Sequence, residues 1–202
     1  MTFPSREDCV YTACYCEENV WKLCEHAQRH QLKHIFAVFI SNSAKMIPIW
    51  HQRERKGPDE PVVWDYHVIC LYCPEAGEPQ VYDLDSLLPF PCPLTTYLQS
   101  SIQHDALLKI QYHRKFRVVP AEIFLKTFAS DRSHMKTVDG GWMKPPPPYP
   151  CIATAECTMN LDDFISMDET VGVGQIQQVS LLLMAGSIGC GRLSLRDGSP
   201  RD

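Results

Sequence analysis

The chain has 202 residues, of which 45% are hydrophobic and 21% charged, a balance typical of a globular domain and not of a disordered chain. Its formal net charge of -5 at pH 7 gives no positive field for nucleic acid or acidic lipid, so we expect neither as a partner. No apolar stretch approaches the roughly 20 residues that span a bilayer, and the N-terminal MTFPSREDCV lacks the apolar core of a secretory signal. We therefore expect a protein of the cytoplasm and nucleus.

The first half of the chain predicts one helix followed by four strands. From residue 17 to residue 30, apolar side chains recur at three- and four-residue steps, which predicts a helix with Glu17 and Glu18 facing water in its first turn. Runs rich in β-branched and aromatic residues predict strands at 34–40, 46–51, 61–71 and 80–84. Pro74 and Gly77 predict a hairpin loop between the last two of these strands.

The second half predicts shorter elements. Helices are expected at 94–101 and 121–128, a strand at 115–120, and an extended proline segment at 145–148. One helix, then sequential strands, then scattered helices is the order typical of an α+β fold with a mainly antiparallel sheet packed with helices.

The chain has ten cysteines, and their positions in the predicted elements decide which of them is a candidate nucleophile. Only Cys14 and Cys16 stand at the start of a predicted helix, where unpaired N–H groups and the helix dipole stabilise a thiolate. Cys16 comes directly before the helical run, so its own N–H could also hold an oxyanion. A small capping residue is the alternative interpretation. Because Glu17 and Glu18 repel a thiolate, the nucleophile requires a cationic partner.

His67 is the candidate partner, since it lies inside the third predicted strand, where a core histidine is the other interpretation. In an antiparallel hairpin, directly opposed residues have Cβ atoms about 5 Å apart. A loop centred on Glu75 would place His67 opposite Asp83, and a loop centred on Ala76 would substitute Asp85. We prefer Asp83 and keep Asp85 as the alternate carboxylate.

Cys16, His67 and Asp83 together give a nucleophile, a base and an orienting carboxylate. A metal site is the competing use of such residues, because Cys70 and Cys73 are spaced C-x-x-C. This pair lies in a strand pattern and lacks a second well-spaced pair, so neither structural zinc nor a thioredoxin-like redox role is expected.

Several segments resemble the protein N-terminal glutamine amidohydrolase family. They are CYCEENVWKLCE (14–25), VVWDYHV (62–68), YDLDSLLPFPC (82–92), FASDRSHM (128–135), PPPPYPCI (145–152) and MNLDDFISMD (159–168). The resemblance runs from about residue 9 to residue 168, in the same order and with similar spacing. It implies an α+β fold of the papain-like or transglutaminase-like kind that acts as a monomer with no metal or organic cofactor.

By this resemblance, Cys16 of CYCEEN is the nucleophile, His67 of WDYH the base and Asp83 of YDLD the carboxylate. The implied activity is hydrolysis of the side-chain amide of N-terminal glutamine in proteins and peptides, which gives glutamate and ammonia and feeds the N-degron (arginylation) pathway. The substrate α-ammonium group requires an acceptor, for which Glu18 and Asp65 are candidates, and strand alternation puts Asp65 on the sheet face of His67. The alternatives are a non-catalytic or weakly active relative that binds N-terminal glutamine, or a related cysteine peptidase or transglutaminase.

The sequence departs from the family from Val171 onward. Relatives continue with a Gly-Trp-Gly-like turn, whereas Val173 stands here where tryptophan is expected. We therefore predict an amidohydrolase domain over residues 1–170 and a divergent, poorly ordered tail over residues 171–202. If the absent segment normally packs on the core, this chain would be less stable or less active.

Overall fold

The computed structural model describes residues 3–178. Its strands are β1 (Ile35–Ser41), β2 (Ile47–Ile49), β3 (Val62–Trp64), β4 (His67–Tyr72), β5 (Gln80–Tyr82), β6 (Cys92–Pro93), β7 (Lys115–Pro120) and β8 (Gln175–Gln178). Its α-helices are α1 (Cys16–Arg29), α2 (Leu94–Tyr97), α3 (Ala121–Thr127) and α4 (Leu161–Ile165). Helix α2 continues into a π-helical turn at Leu98–Ile102.

The described strands form a six-stranded sheet in the order β6-β5-β4-β1-β7-β8 and a separate β2–β3 pair. Neighbouring strands of both sheets run antiparallel, which confirms the predicted α+β class with a mainly antiparallel sheet. Within the described part, each helix falls short of the length and apolarity that crossing a membrane demands.

The central strand β1 is buried on both of its faces, which explains its unbroken apolar sequence. Alternate side chains enter two different cores. One core includes Val38 and Ile40 and packs against β2 and the α2 region. The other core includes Phe39 and packs against α1, α3 and α4, with the Phe124 ring edge-on and the Phe164 ring tilted against the Phe39 ring.

The single strand predicted over 61–71 is wrong, because the chain divides there into β3 and β4. The Asp65 side chain accepts a hydrogen bond from the backbone N–H of Tyr66 at 2.9 Å, a local bond that competes with a continuous ladder. Strand β3 then pairs with β2, and β4 joins the main sheet. Asp65 therefore lies at the break and not on the sheet face of His67.

Residues 171–178 continue along the edge of the main sheet, where β8 pairs with β7. Arg117 donates hydrogen bonds to the backbone carbonyls of Ser166, Asp168 and Val173 and so anchors this segment. Gly172 and Gly174 both have positive φ, and a Cβ at either would overlap a backbone carbonyl. The division predicted at residue 170 stays a prediction, and residues 179–202 of the predicted tail lie outside the described residues.

Candidate active site

The loop before α1 places Cys16 as the first residue of the helix. Cys14 adopts a left-handed conformation with φ of 66°, which is uncommon for a residue with a side chain. The Asn19 side chain holds this loop by accepting from the N–H of Thr12 and donating to its carbonyl, both at 2.8 Å. Fixed in this way, the Cys16 thiol stands at the N-terminus of a 14-residue helix, as predicted.

Asp83 is positioned to orient His67, because its Oδ1 lies 3.0 Å from His67 Nε2. Its other oxygen, Oδ2, accepts from Gln52 Nε2 at 3.0 Å and from the Tyr97 hydroxyl at 2.8 Å. The backbone N–H of Asp85 also donates to Oδ1, at 3.0 Å. Burial raises the pKa of Asp83, but the charge of His67 and these hydrogen bonds lower it further, so the net shift is downward.

The hairpin register that predicted the contact between His67 and Asp83 is wrong. Strands β4 and β5 pair Cys70 with Tyr82, so the hairpin is centred on Ala76, and its continued register would oppose His67 with Asp85. However, β5 ends at Tyr82, and the chain leaves the ladder before that pairing forms. Asp83 is therefore the hydrogen-bond partner of His67 even though the register that selected it is not the observed one.

The Cys16 thiol lies near β4. Burial, followed by the charges of Glu17 and Asp85, raises the pKa of Cys16 well above its ordinary value. The backbone of Val68 in β4 lowers the pKa of the thiol, but by less than burial raises it. Burial lowers the pKa of His67, but the charge and hydrogen bond of Asp83 raise it further, and the net shift is upward. The raised pKa of Cys16 opposes a free thiolate, and the raised pKa of His67 makes its imidazole a stronger base toward the thiol proton.

A cavity of about 190 Å³ opens beside the thiol. Its polar lining includes Cys16, Asp65, His67, Asp85 and His134. Its apolar lining includes Trp64, Met135 and Met143. The Trp64 ring stacks on the His67 imidazole with ring centroids 5.7 Å apart, which restricts the orientation of that imidazole.

The two candidate acceptors of the substrate amine have different surroundings. Glu18 is fully buried and forms two 2.8 Å contacts with the Arg132 guanidinium, away from the cavity lining. Asp65 lines the cavity, and one of its oxygens accepts from the Tyr66 N–H. The prediction that Glu17 and Glu18 face water is wrong, since both are 0% exposed.

A metal ion would find three ligands here, because one ligand atom each from His67, Asp83 and Asp85 lies within 4.8 Å of the others. These groups already have other partners. Asp83 bonds to His67, and Asp85 accepts from the Tyr11 hydroxyl at 2.6 Å. Hydrogen bonds therefore satisfy both oxygens of Asp83 and Oδ1 of Asp85.

Sequence reasoning missed several residues of the site. Gln52 and Tyr97 come from a predicted loop and a predicted helix, and no local pattern connected them to Asp83. Tyr66 and His134 were inside segments that carried the family resemblance, but no role was assigned to them. Both line the cavity, and both approach Glu17.

A thiol at a helix N-terminus, beside an imidazole oriented by a buried carboxylate in an α+β domain, is the arrangement typical of cysteine hydrolases. The sequence model of the family described as N-terminal glutamine amidase matches residues 11–184. This match extends beyond Val171, so the family likeness continues past the point predicted from the sequence.

Named relatives agree with the family match. The chain is 57% identical to protein N-terminal glutamine amidohydrolase of Danio rerio over 180 residues, covering 88% of this chain and 89% of that protein. It is 54% identical to the protein of the same name from Homo sapiens over 180 residues, covering 88% and 87%. Identity to the Drosophila melanogaster protein of that name is 44% over 181 residues, covering 88% of each. The chain belongs to the N-terminal glutamine amidase family.

Proposed function

We propose that this chain hydrolyses the side-chain amide of an N-terminal glutamine in proteins and peptides, releasing ammonia and leaving glutamate. The single observation that carries the chemistry is the buried His67–Asp83 pair, with Nε2 and Oδ1 3.0 Å apart, in which His67 lines the same cavity as Cys16. The names of the relatives support N-terminal glutamine as the group acted on. No step requires a metal or an organic cofactor.

The reaction proceeds in two halves. His67 takes the thiol proton as the Cys16 sulfur attacks the amide carbon, and the Cys16 N–H stabilises the oxyanion. His67 then returns the proton to the amide nitrogen, which leaves as ammonia, and a thioester remains. A water molecule that gives a proton to His67 attacks the thioester, and the proton returns to sulfur as glutamate is released.

Both the size and the lining of the cavity favour a single terminal residue as its occupant. At about 190 Å³, it is smaller than the roughly 300 Å³ at which pockets for drug-sized ligands begin. Asp65 is the acceptor that we propose for the α-ammonium group, since it lines the cavity. Glu18 is unsuited to that role because Arg132 occupies both of its oxygens.

The rest of a substrate chain has a path away from this cavity. A groove of about 1140 Å³ shares Lys45, Asp162 and Ile165 with the cavity lining. Lys45 and Asp162 form an exposed ion pair at 3.5 Å where the two spaces meet. We assign the groove to the residues that follow the glutamine. The family resemblance further supports action as a monomer in the cytoplasm and nucleus, where the product would enter the N-degron pathway by arginylation.

The test is to incubate the protein with peptides that begin with Gln, Asn or acetylated Gln and to follow ammonia together with peptide mass. We expect turnover of the Gln peptide alone, with the mass increase of an amide-to-acid conversion and not the loss that cyclisation to pyroglutamate gives. Cys16→Ser should abolish turnover, and Cys151→Ser, at an exposed cysteine, is the matched control.

Three outcomes would contradict the proposal. Peptide-bond cleavage or amine transfer would identify a cysteine peptidase or transglutaminase. Binding of Gln peptides without ammonia release would identify a non-catalytic relative. Retained turnover in Cys16→Ser would remove the mechanism.

A further inference from the structure

The segment at residues 131–135 supplies a basic side chain to each of the two glutamates in the first turn of α1. Glu18 pairs with Arg132 through two 2.8 Å contacts. Glu17 lies with Oε1 3.5 Å from His134 Nε2. Both carboxylates are 0% exposed, so each needs compensation within the protein. The function proposed above uses neither pair.

The Glu17 pair differs from its neighbour because it includes the nucleophile. The Cys16 thiol donates to Glu17 Oε2 at 3.6 Å, and the Tyr66 hydroxyl donates to the same oxygen at 3.0 Å. Within residues 3–178, Glu17 Oε1 and His134 Nδ1 have no hydrogen-bond partner. His134 and Tyr66 both line the cavity. The proton that His67 must take from Cys16 is therefore the one that the thiol donates to Glu17.

A carboxylate this close to sulfur opposes thiolate formation, since two like charges would stand side by side in a buried site. Arg132 gives Glu18 a permanent cation, whereas the partner of Glu17 is a histidine, which carries a positive charge only when it is protonated. A protonated His134 offsets the charge of Glu17 and makes the thiolate less costly. A neutral His134 leaves that charge uncompensated beside the sulfur.

We propose that Glu17 and His134 are positioning residues that set the ionisation of Cys16. The charge of His134 controls how strongly Glu17 opposes the loss of the thiol proton. The inference rests on the proposed role of Cys16 as nucleophile. The other titratable groups around the thiol are Cys14, Asp65, Tyr66, His67, Asp83 and Asp85. Lys45 and Asp162, which also line the cavity, pair with each other. The variants below leave all of these unchanged.

The experiment measures alkylation of Cys16 by iodoacetamide as a function of pH, with the modified peptide quantified by mass spectrometry and no substrate present. Glu17→Gln should lower the pH of half-maximal alkylation by at least about 1 unit, because it removes the neighbouring negative charge. His134→Gln should raise that midpoint, and the double variant should match Glu17→Gln. His134→Lys, which supplies a permanent cation, should give a midpoint below that of His134→Gln.

Glu25→Gln and His30→Gln are the matched controls, because both residues lie on or directly after α1 and outside the cavity lining. Neither should move the midpoint. Thermal unfolding of each variant checks that it is folded. If Glu17→Gln does not fold, the comparison of the alkylation midpoints of His134→Lys and His134→Gln tests the inference instead.

The inference is overturned if folded Glu17→Gln alkylates with the wild-type midpoint, or if His134→Gln shifts the midpoint equally with and without Glu17. Equal midpoints for His134→Lys and His134→Gln would overturn it as well. Ammonia release from Gln peptides is assayed in parallel. An unchanged midpoint with active wild-type enzyme defeats this inference alone, and a shifted midpoint in a protein without amidase activity defeats the proposed function alone.

Discussion

Replacing Asp83 by asparagine tests the orientation of the His67 imidazole with little change in volume. The buried carboxylate accepts from His67, Gln52, Tyr97 and the Asp85 N–H, and it donates nothing. An asparagine offers one acceptor oxygen and one NH₂ group, so some of these donors would meet another donor. If the NH₂ group faces His67, the imidazole must accept there and would carry its proton on the nitrogen needed for catalysis.

The magnitude follows from these contacts. Loss of the correct tautomer should lower kcat by about 10³- to 10⁴-fold, the scale seen when the carboxylate of a catalytic triad becomes an amide. Each buried donor left without an acceptor costs about 1–3 kcal/mol of folding free energy. The substitution should therefore weaken folding measurably, with KM for a Gln peptide changed much less than kcat.

The pH dependence of stability provides a second signature of the same pair. The folded-state pKa of Asp83 is lowered, so its contribution is present above its unfolded pKa and is lost as the pH falls through the folded value. The folded-state pKa of His67 is raised, so its contribution is complete below its unfolded pKa and is lost as the pH rises through the folded value. Asp83→Asn should remove both contributions, so the free energy of unfolding should vary less with pH in the variant than in the wild type.

The assays are urea unfolding across pH and steady-state ammonia release from a Gln peptide. Asp139→Asn, at an exposed carboxylate outside the site, is the control for an Asp-to-Asn change. A folded Asp83→Asn protein with kcat within tenfold of wild type would refute the claim that Asp83 orients the base.

Three further predictions concern the framework. Arg132→Met removes one partner of a buried ion pair and should destabilise the fold by about 3–5 kcal/mol, measured by urea unfolding; a smaller effect than that of an exposed Arg29→Met control would contradict it. Phe39→Ala, at the centre of the ring cluster, should cost about 3–5 kcal/mol in the same assay, and a cost below 1 kcal/mol would argue against that packing. Gly174→Ala forces a Cβ onto the Val118 carbonyl at positive φ and should increase hydrogen exchange in β8, with unchanged exchange as the contrary result.

Sequence patterns located the local elements well where one face or both faces were apolar. The helix predicted at 17–30 is α1, and the strand predicted at 115–120 is β7. The break between β3 and β4 was missed, because it depends on a side-chain hydrogen bond of Asp65 inside a run of strand-forming residues. The short β6, α4 and β8 were also missed, since each contains too few residues for a periodic signal.

Some residues of the candidate site could be predicted from the sequence, and others could not. The helix start singled out Cys16, and the hairpin brought His67 within reach of two acids. Asp83 was preferred on a register that the structure does not have, and the hairpin alone could not exclude Asp85. The partners Gln52 and Tyr97 arrive from distant segments, so only tertiary structure connects them to the carboxylate. The pairing of Glu17 with His134 spans 117 positions and was hidden for the same reason.

The anchoring of the last described segment by Arg117 bears on how much divergence that segment can tolerate. The guanidinium recognises carbonyl oxygens at Ser166, Asp168 and Val173, and every amino acid supplies a carbonyl. The route of the main chain is thus specified by Arg117 and by glycines at 172 and 174, whereas the Val173 side chain contributes packing against the core that contains Phe39. A different side chain at 173 therefore changes the local packing while the course of the main chain stays the same.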